Sequence, residues 1–222
     1  MALLSGNILK LIAAASMFLD HMGLMLFPGN GILRIVGRLA LPIYAYMIAE
    51  GCKYTRNKKK YFGTVFGLAS LCQAVYFFFS GSTYLSILFT FSLAIVCIYA
   101  LQRYQQTPTA KNGILFALAV TGVYGLNVLL EIDYGFWGCM LPVFPAMLQG
   151  TPYDKKEWNV AMLGLGLLLL SLALGGTQIW SLAALPLLLL YSGKRGRWKM
   201  KYFFYIFYPA HLVLLDLLAI LT

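Results

Sequence analysis

Acidic side chains are scarce in this chain. Seven Asp and Glu stand against 17 Lys and Arg in 222 residues, and charged residues of both signs make up only 11%. That shortage excludes a water-soluble globule, because 61% hydrophobic residues and a mean hydropathy of +0.78 leave too little polar side chain to cover a wetted surface. Cysteine is also sparse. Cys52, Cys72, Cys97 and Cys139 fall one by one in apolar stretches, without C-x-x-C spacing or nearby histidines, so they read as packing residues rather than a disulfide framework or metal site. With two histidines in all, no metal-ligating cluster is expected.

What the chain does contain is long apolar runs. The first, Ile8 to Phe27, exceeds the roughly 15 residues of a secretory h-region and lacks a small-residue cleavage site, so it reads as a retained membrane helix. Apolar stretches at 7–27, 31–52, 61–80, 84–101, 113–130, 134–149, 158–174, 177–191 and 202–221 predict an all-α, polytopic transmembrane bundle of about nine spans in a single domain, 1–222. Short Gly, Pro, Asn and Ser turns punctuate it. The 134–149 and 177–191 stretches are short, and Pro142 and Pro145 should bend the former, so either is expected to be broken or re-entrant. Lys and Arg collect on the cytoplasmic side of such proteins, and an N-in, C-out arrangement places 15 of the 17 there. The net charge of +10 is then topological, and nucleic acid is not expected as a partner.

Arg34 and Arg38 are the two exceptions, in the outer half of the second span. A charged side chain in hydrocarbon costs on the order of 2.5–3.5 kcal/mol even on gentle scales, so each needs a partner or a wet cavity. Candidates lie at similar depth. At 1.5 Å per residue, Asp20 and His21 sit roughly 4–5 Å outward of the midplane, Arg38 roughly 5 Å, Asp216 roughly 7 Å, and His211 near the midplane. Adjacent helical residues point about 100° apart, so Asp20 and His21 cannot face one spot. Asp20 is expected to pair with Arg38 or Arg34, leaving the His21 imidazole toward a cavity; the alternative is a purely structural ion pair with a hydrogen-bonded histidine. Pro42 should loosen the turn beside Arg38. Tyr205, Tyr208, Pro209 and His211 form a second polar cluster in the last helix, while Glu50, at the cytoplasmic end of the second, is either a solvated ion pair or an entry-site residue.

Several of these residues spell a pattern in order along the chain. Leu19-Asp20-His21, then Leu33-Arg34-Ile35-Val36-Gly37-Arg38-Leu39-Ala40-Leu41-Pro42-Ile43, Glu50-Gly51, Asp133-Tyr134-Gly135-Phe136-Trp137-Gly138 and Tyr205-Ile206-Phe207-Tyr208-Pro209-Ala210-His211 resemble the TraX family. The resemblance implies an enzyme linked to N-terminal acetylation of F-type pilin, or more broadly a polytopic acyltransferase of the bacterial inner (cytoplasmic) membrane that uses acetyl-CoA. In such membrane acyltransferases a histidine of the first helix carries the chemistry, which falls on His21.

On this reading His21, Asp20 and Arg38 are the catalytic group, with His21 as base or acyl carrier and Arg38 facing the developing oxyanion. Arg34, Glu50, Tyr205, Tyr208 and His211 line the substrate path, with His211 as the alternative base. Lys58, Arg195 and Arg197, in two loops of five basic residues each, would meet the negative nucleotide of acetyl-CoA. The acceptor, an amine or hydroxyl on a protein or small molecule, stays open. A transporter with a mid-membrane His/Asp/Arg cluster, or a non-catalytic scaffold, would carry the same ionisable layer.

Overall fold

A computed structural model describes residues 3–197 and 200–221; the side chains of Phe79, Ser80, Lys201, Tyr202, Phe204 and Tyr205 also lie outside the described set. The described residues form helices and contain no strand, only the isolated bridges Leu4 to Tyr191 and Leu85 to Ile132. Four helices, the first of them near the N-terminus, start where a flanking side chain serves orphan backbone groups. α1 (Gly6–Met25) starts behind Ser5, which accepts from the Ile8 amide, and α2 (Gly31–Gly37) behind Asn30, which accepts from Ile32 and Leu33. α3 (Ala40–Tyr54) follows after a two-residue break. α4 (Lys58–Ser80) is opened by Asn57 and closed by Gly81 in the left-handed region, at φ 67°. α5 (Ile87–Gln106), α6 (Ala110–Leu129), the short α7 (Gly135–Met140) and α8 (Val143–Ala146), and α9 (Lys156–Leu174) complete the middle of the chain. A 3₁₀ segment (Gly176–Ala184), α10 (Leu185–Leu189) and α11 (Lys201–Leu221) end it.

Six of these stretches are long and apolar enough to cross a membrane: Gly6–Met25, Gly31–Tyr54, Lys58–Phe78, Ile87–Gln106, Ala110–Leu129 and Lys156–Leu174. Three shorter apolar stretches, Gly135–Ala146, Gly176–Leu189 and Ile206–Leu221, bring the tally of apolar helical segments among the described residues to the nine expected, but do not match the 18-residue length of a full span. Large apolar side chains are left bare, with Phe78 85%, Leu172 83% and Ile220 80% exposed, as suits a surface that meets acyl chains.

The differences from the sequence reading have local causes. The second span is not merely bent but divided, and its break falls at Arg38 and Leu39. Pro42 explains the place: its missing N–H would have bonded the carbonyl four residues back, which is that of Arg38, and its ring crowds the same carbonyl. Pro142 and Pro145 likewise divide 134–149 into α7 and α8. By contrast α5 continues five residues beyond the expected end at Leu101, through the glutamines read as a loop. Gln102 Nε2 donates to the Cys52 carbonyl at 3.3 Å, and Gln105 Nε2 to the Met147 carbonyl at 2.9 Å, so the amides join elements instead of seeking water. Pro209 lies inside α11 without dividing it.

The chain separates into two compact units, Met1–Tyr44 with Leu174–Thr222, and Ala45–Ala173. In the second, α5 is central and packs against α4, α6, α7 and α8 around Cys52, Ile95, Cys97, Ile98, Val123, Cys139 and Val143. In the first, α1 packs against both α2 and α11, and α2 against the 3₁₀ segment. The amide of Gly6 donates to the Lys194 carbonyl at 2.8 Å and that of Asn7 to the Arg195 carbonyl at 3.0 Å, so the loop after α10 serves the start of α1. Gly196 closes this contact at φ 96°, where an added Cβ would crowd Ser5 and Asn7.

Candidate active site

The first unit carries the ionisable layer. α1 and α2 approach closely because residue 37 is glycine, and a Cβ there would collide with the Asp20 side chain. Asp20 thereby reaches both arginines. Arg34 Nη1 donates to Asp20 Oδ2 at 2.8 Å, and Arg38 Nη2 donates to Oδ1 at 3.0 Å. The sequence left open which arginine takes the carboxylate, and the structure gives it both. Arg34 also donates to the Asp20 carbonyl at 3.3 Å, and Arg38 Nε to the Arg34 carbonyl at 3.3 Å. The two arginines differ in setting: the Arg34 side chain is 29% exposed, the Arg38 side chain 8%.

Arg38 has a further partner that the sequence reading passed over. Its Nη1 donates to Oε1 of Gln178, a buried residue of the 3₁₀ segment, at 3.2 Å. Gln178 gives little signal in sequence, as an uncharged amide at the start of the apolar stretch 177–191, next to the Gly175-Gly176 turn. A guanidinium only donates, so this contact fixes the amide with its oxygen toward Arg38 and its nitrogen away. That nitrogen, Gln178 Nε2, is buried without a partner, as is Ser181 Oγ. Leaving such a group unmet costs on the order of 1–3 kcal/mol.

His21 points the other way, to α11. His211 Nε2 lies 3.1 Å from His21 Nδ1, with ring centroids 5.0 Å apart. The tautomers follow from the next link. His211 Nδ1 lies 2.8 Å from the Phe207 carbonyl, which can only accept, so His211 carries its proton on Nδ1. Its Nε2 is then an acceptor, and His21 must donate from Nδ1. The Met17 carbonyl, one turn before His21, bonds the same ring. His21 Nε2 is thus left without a hydrogen-bond partner among the described residues, with its lone pair in the form of imidazole that removes protons or attacks an acyl carbon. Phe207 stacks on the His211 ring at 5.0 Å and 9°, and the buried Tyr208 meets it edge-on at 5.7 Å.

Of the residues singled out from sequence, Asp20, His21, Arg34, Arg38, Tyr208 and His211 are therefore brought together in one unit. The side chain of Tyr205 lies outside the described residues. Asp216 is half-buried on α11, apart from the histidine and arginine contacts. Glu50 lies in the second unit, one turn after Tyr46 on α3. Lys58 is also there, its Nζ 5.1 Å from the Tyr99 ring centroid, in a cation–π contact rather than as a fully solvated cation. Arg195 and Arg197 are exposed in the loop beside the start of α1, roughly 20 Å along that helix from Asp20.

The pattern extends beyond these side chains. A family model described as TraX protein matches residues 5–219. The chain belongs to the TraX family. It is 30% identical, over 93% of its length and 92% of that protein's, to the probable fimbrial assembly protein FimC, serogroup H1, of Dichelobacter nodosus. A shorter likeness, 42% identity over 40 residues, covers 18% of this chain and 16% of an uncharacterized protein of Rickettsia prowazekii (strain Madrid E). No solved structure matches this TraX-family chain.

Proposed function

We propose that this TraX-family protein is an integral membrane acetyltransferase that moves an acetyl group from acetyl-CoA to an acceptor amine or hydroxyl. The observation that supports it most is the chain of hydrogen bonds Phe207 carbonyl, His211, His21, which orients a general base with its lone pair uncommitted. Asp20 and the two arginines beside it hold α1 and α2 in register around that base. Acetyl-CoA docks its nucleotide at the exposed Arg195 and Arg197 and extends its thioester arm along α1 toward His21. His21 Nε2 takes the proton of the acceptor as it attacks the thioester carbon, and returns it to the departing thiolate.

The same reading places the protein in the bacterial cytoplasmic membrane with its N-terminus inside. The hydrogen bonds from Gly6 and Asn7 to Lys194 and Arg195 support that orientation, because they hold the start of α1 level with a basic loop assigned to the cytoplasmic face. The family's link to pilin modification, and a relative named for fimbrial assembly, make a pilin N-terminus the first acceptor to try.

The test is acetyl transfer from labelled acetyl-CoA by purified protein. His21→Ala is expected to lower kcat on the order of 10²–10⁴-fold. Undiminished transfer overturns the assignment. A relative concerned with assembly also gives the other reading, a non-catalytic assembly factor, which predicts no thermal shift with acetyl-CoA.

A further inference from the structure

Seven buried side-chain atoms among the described residues have no hydrogen-bond partner, and two of them, Gln178 Nε2 and Ser181 Oγ, belong to the first unit. The others are amide oxygens of Gln73, Gln102, Asn127 and Asn159 and the hydroxyl of Ser86. Gln178 Nε2 differs from the five in being purely a donor. Carbonyl oxygens tolerate a missing partner better than N–H groups do.

The backbone around them explains why these two belong together. In a 3₁₀ helix residues i and i+3 eclipse, and this segment runs for nine residues where three or four are usual. Gln178, Ser181 and Ala184 are its buried residues, 3%, 0% and 0% exposed, and form a single column. An α-helix would have fanned Gln178 and Ser181 about 60° apart. At the head of the column Gln178 Oε1 accepts from Arg38, so the amide cannot flip and its nitrogen remains a donor directed away from Arg38. Arg38 itself is drawn on by Asp20, by Gln178 and by the Arg34 carbonyl. The column therefore offers unmet donors beside a buried positive charge whose own N–H groups are engaged.

We infer that Gln178 Nε2 and Ser181 Oγ donate hydrogen bonds to the carbonyl oxygen of the bound acyl thioester, and that Arg38 positions Gln178. This rests on the proposed acetyltransferase reading and moves the oxyanion contact from Arg38 to the 3₁₀ segment. As the acceptor nitrogen bonds to the thioester carbon, the carbonyl π pair moves onto that oxygen, where the amide and hydroxyl hold it. The pair then returns, the C–S bond breaks, and the thiolate leaves with the proton held by His21, giving the acetylated acceptor and CoA.

The experiment compares binding of acetyl-CoA with that of S-ethyl-CoA, a thioether of the same shape without the carbonyl, to the purified full chain. Two variants are used alongside the wild type: Ser181→Ala, which removes a donor without adding volume, and Gln178→Glu, which keeps an oxygen for Arg38 but loses the donor. Wild type is expected to prefer acetyl-CoA, and each variant to lose most of that preference. In turnover each variant is expected to lose on the order of 10²-fold in kcat with KM for acetyl-CoA little changed. The thermal midpoint of Ser181→Ala should not fall, since the hydroxyl it deletes has no partner in the free protein. Binding of both ligands without preference, or a preference that survives both variants, overturns this inference and leaves the acetyltransferase reading standing. Failure of the wild type to bind either ligand overturns both.

Discussion

Nδ1 of His211 lies 2.8 Å from a backbone carbonyl, which can only accept, and from that constraint the protonation of His21 follows. Arg38 plays a comparable part at the neighbouring Asp20, where a single guanidinium joins that carboxylate to Gln178. Removing it leaves the half-buried carboxylate to the more exposed Arg34 alone and turns Gln178 Oε1 into another unmet group. Arg38→Ala is therefore expected to destabilise the fold by about 1–3 kcal/mol in denaturant titrations of the detergent-solubilised protein. Arg34→Ala should cost clearly less, because its side chain is 29% exposed and Asp20 keeps Arg38. Equal losses from the two would refute the ranking. At this scale the sequence is informative wherever a charge interrupts an apolar run, which is how Asp20, His21, Arg34, Arg38 and His211 stand out before any coordinates. Gln178 does not stand out, because an uncharged amide at the start of the apolar stretch 177–191 breaks no charge pattern and its partner lies 140 residues away.

Elements are joined mostly through backbone carbonyls and a few polar side chains. In the second unit Asp154 gathers the end of α3 and the start of α9: Lys53 Nζ approaches it at 2.7 Å, and the Gly150 amide and Asn159 Nδ2 each donate to it at 3.0 Å. Burial works to raise the Asp154 carboxyl, but those donors and the Lys53 charge outweigh it and hold the group below its ordinary value. A carboxylate depressed in the folded state contributes stability that is complete above its unfolded value, about 3.9, and is lost as pH falls through the folded one. Asp154→Asn is expected to flatten the acid limb of the stability-against-pH curve, with at most about 1 kcal/mol lost at neutral pH, since Lys53 is partly solvated. An unchanged acid limb would show that Asp154 is not the titrating group. Helix breaks were legible where proline marks them, at Pro42 and Pro142, to within a turn. The run of glutamines after Leu101 was not, because hydropathy alone cannot tell an amide that faces water from one that reaches a neighbouring carbonyl, as Gln102 and Gln105 do.

For the whole molecule the placement of charge makes the sharpest statement. With 15 of 17 basic residues assigned to one face, single cysteines replacing Arg56 or Arg195 in a cysteine-free background should react with an impermeant thiol reagent only from the cytoplasmic side. Labelling of either from outside would overturn the N-in arrangement. The apolar exterior and the family are robust consequences of composition and motif order, respectively, whereas the number of full crossings depends on three stretches shorter than a bilayer is thick.

The junction between the opening of α1 and the loop after α10 bears on how such a chain is made. Two amides at the head of the first helix wait for carbonyls that emerge from the ribosome some 190 residues later. His21 must likewise wait for His211 on α11, 190 residues further along the chain. Until then the nascent protein has an inserted first helix with a raw end, and its His21 imidazole lacks its tautomeric anchor. Orientation of the proposed base is thereby tied to the synthesis of α11, and a fragment released before it would lack that orientation.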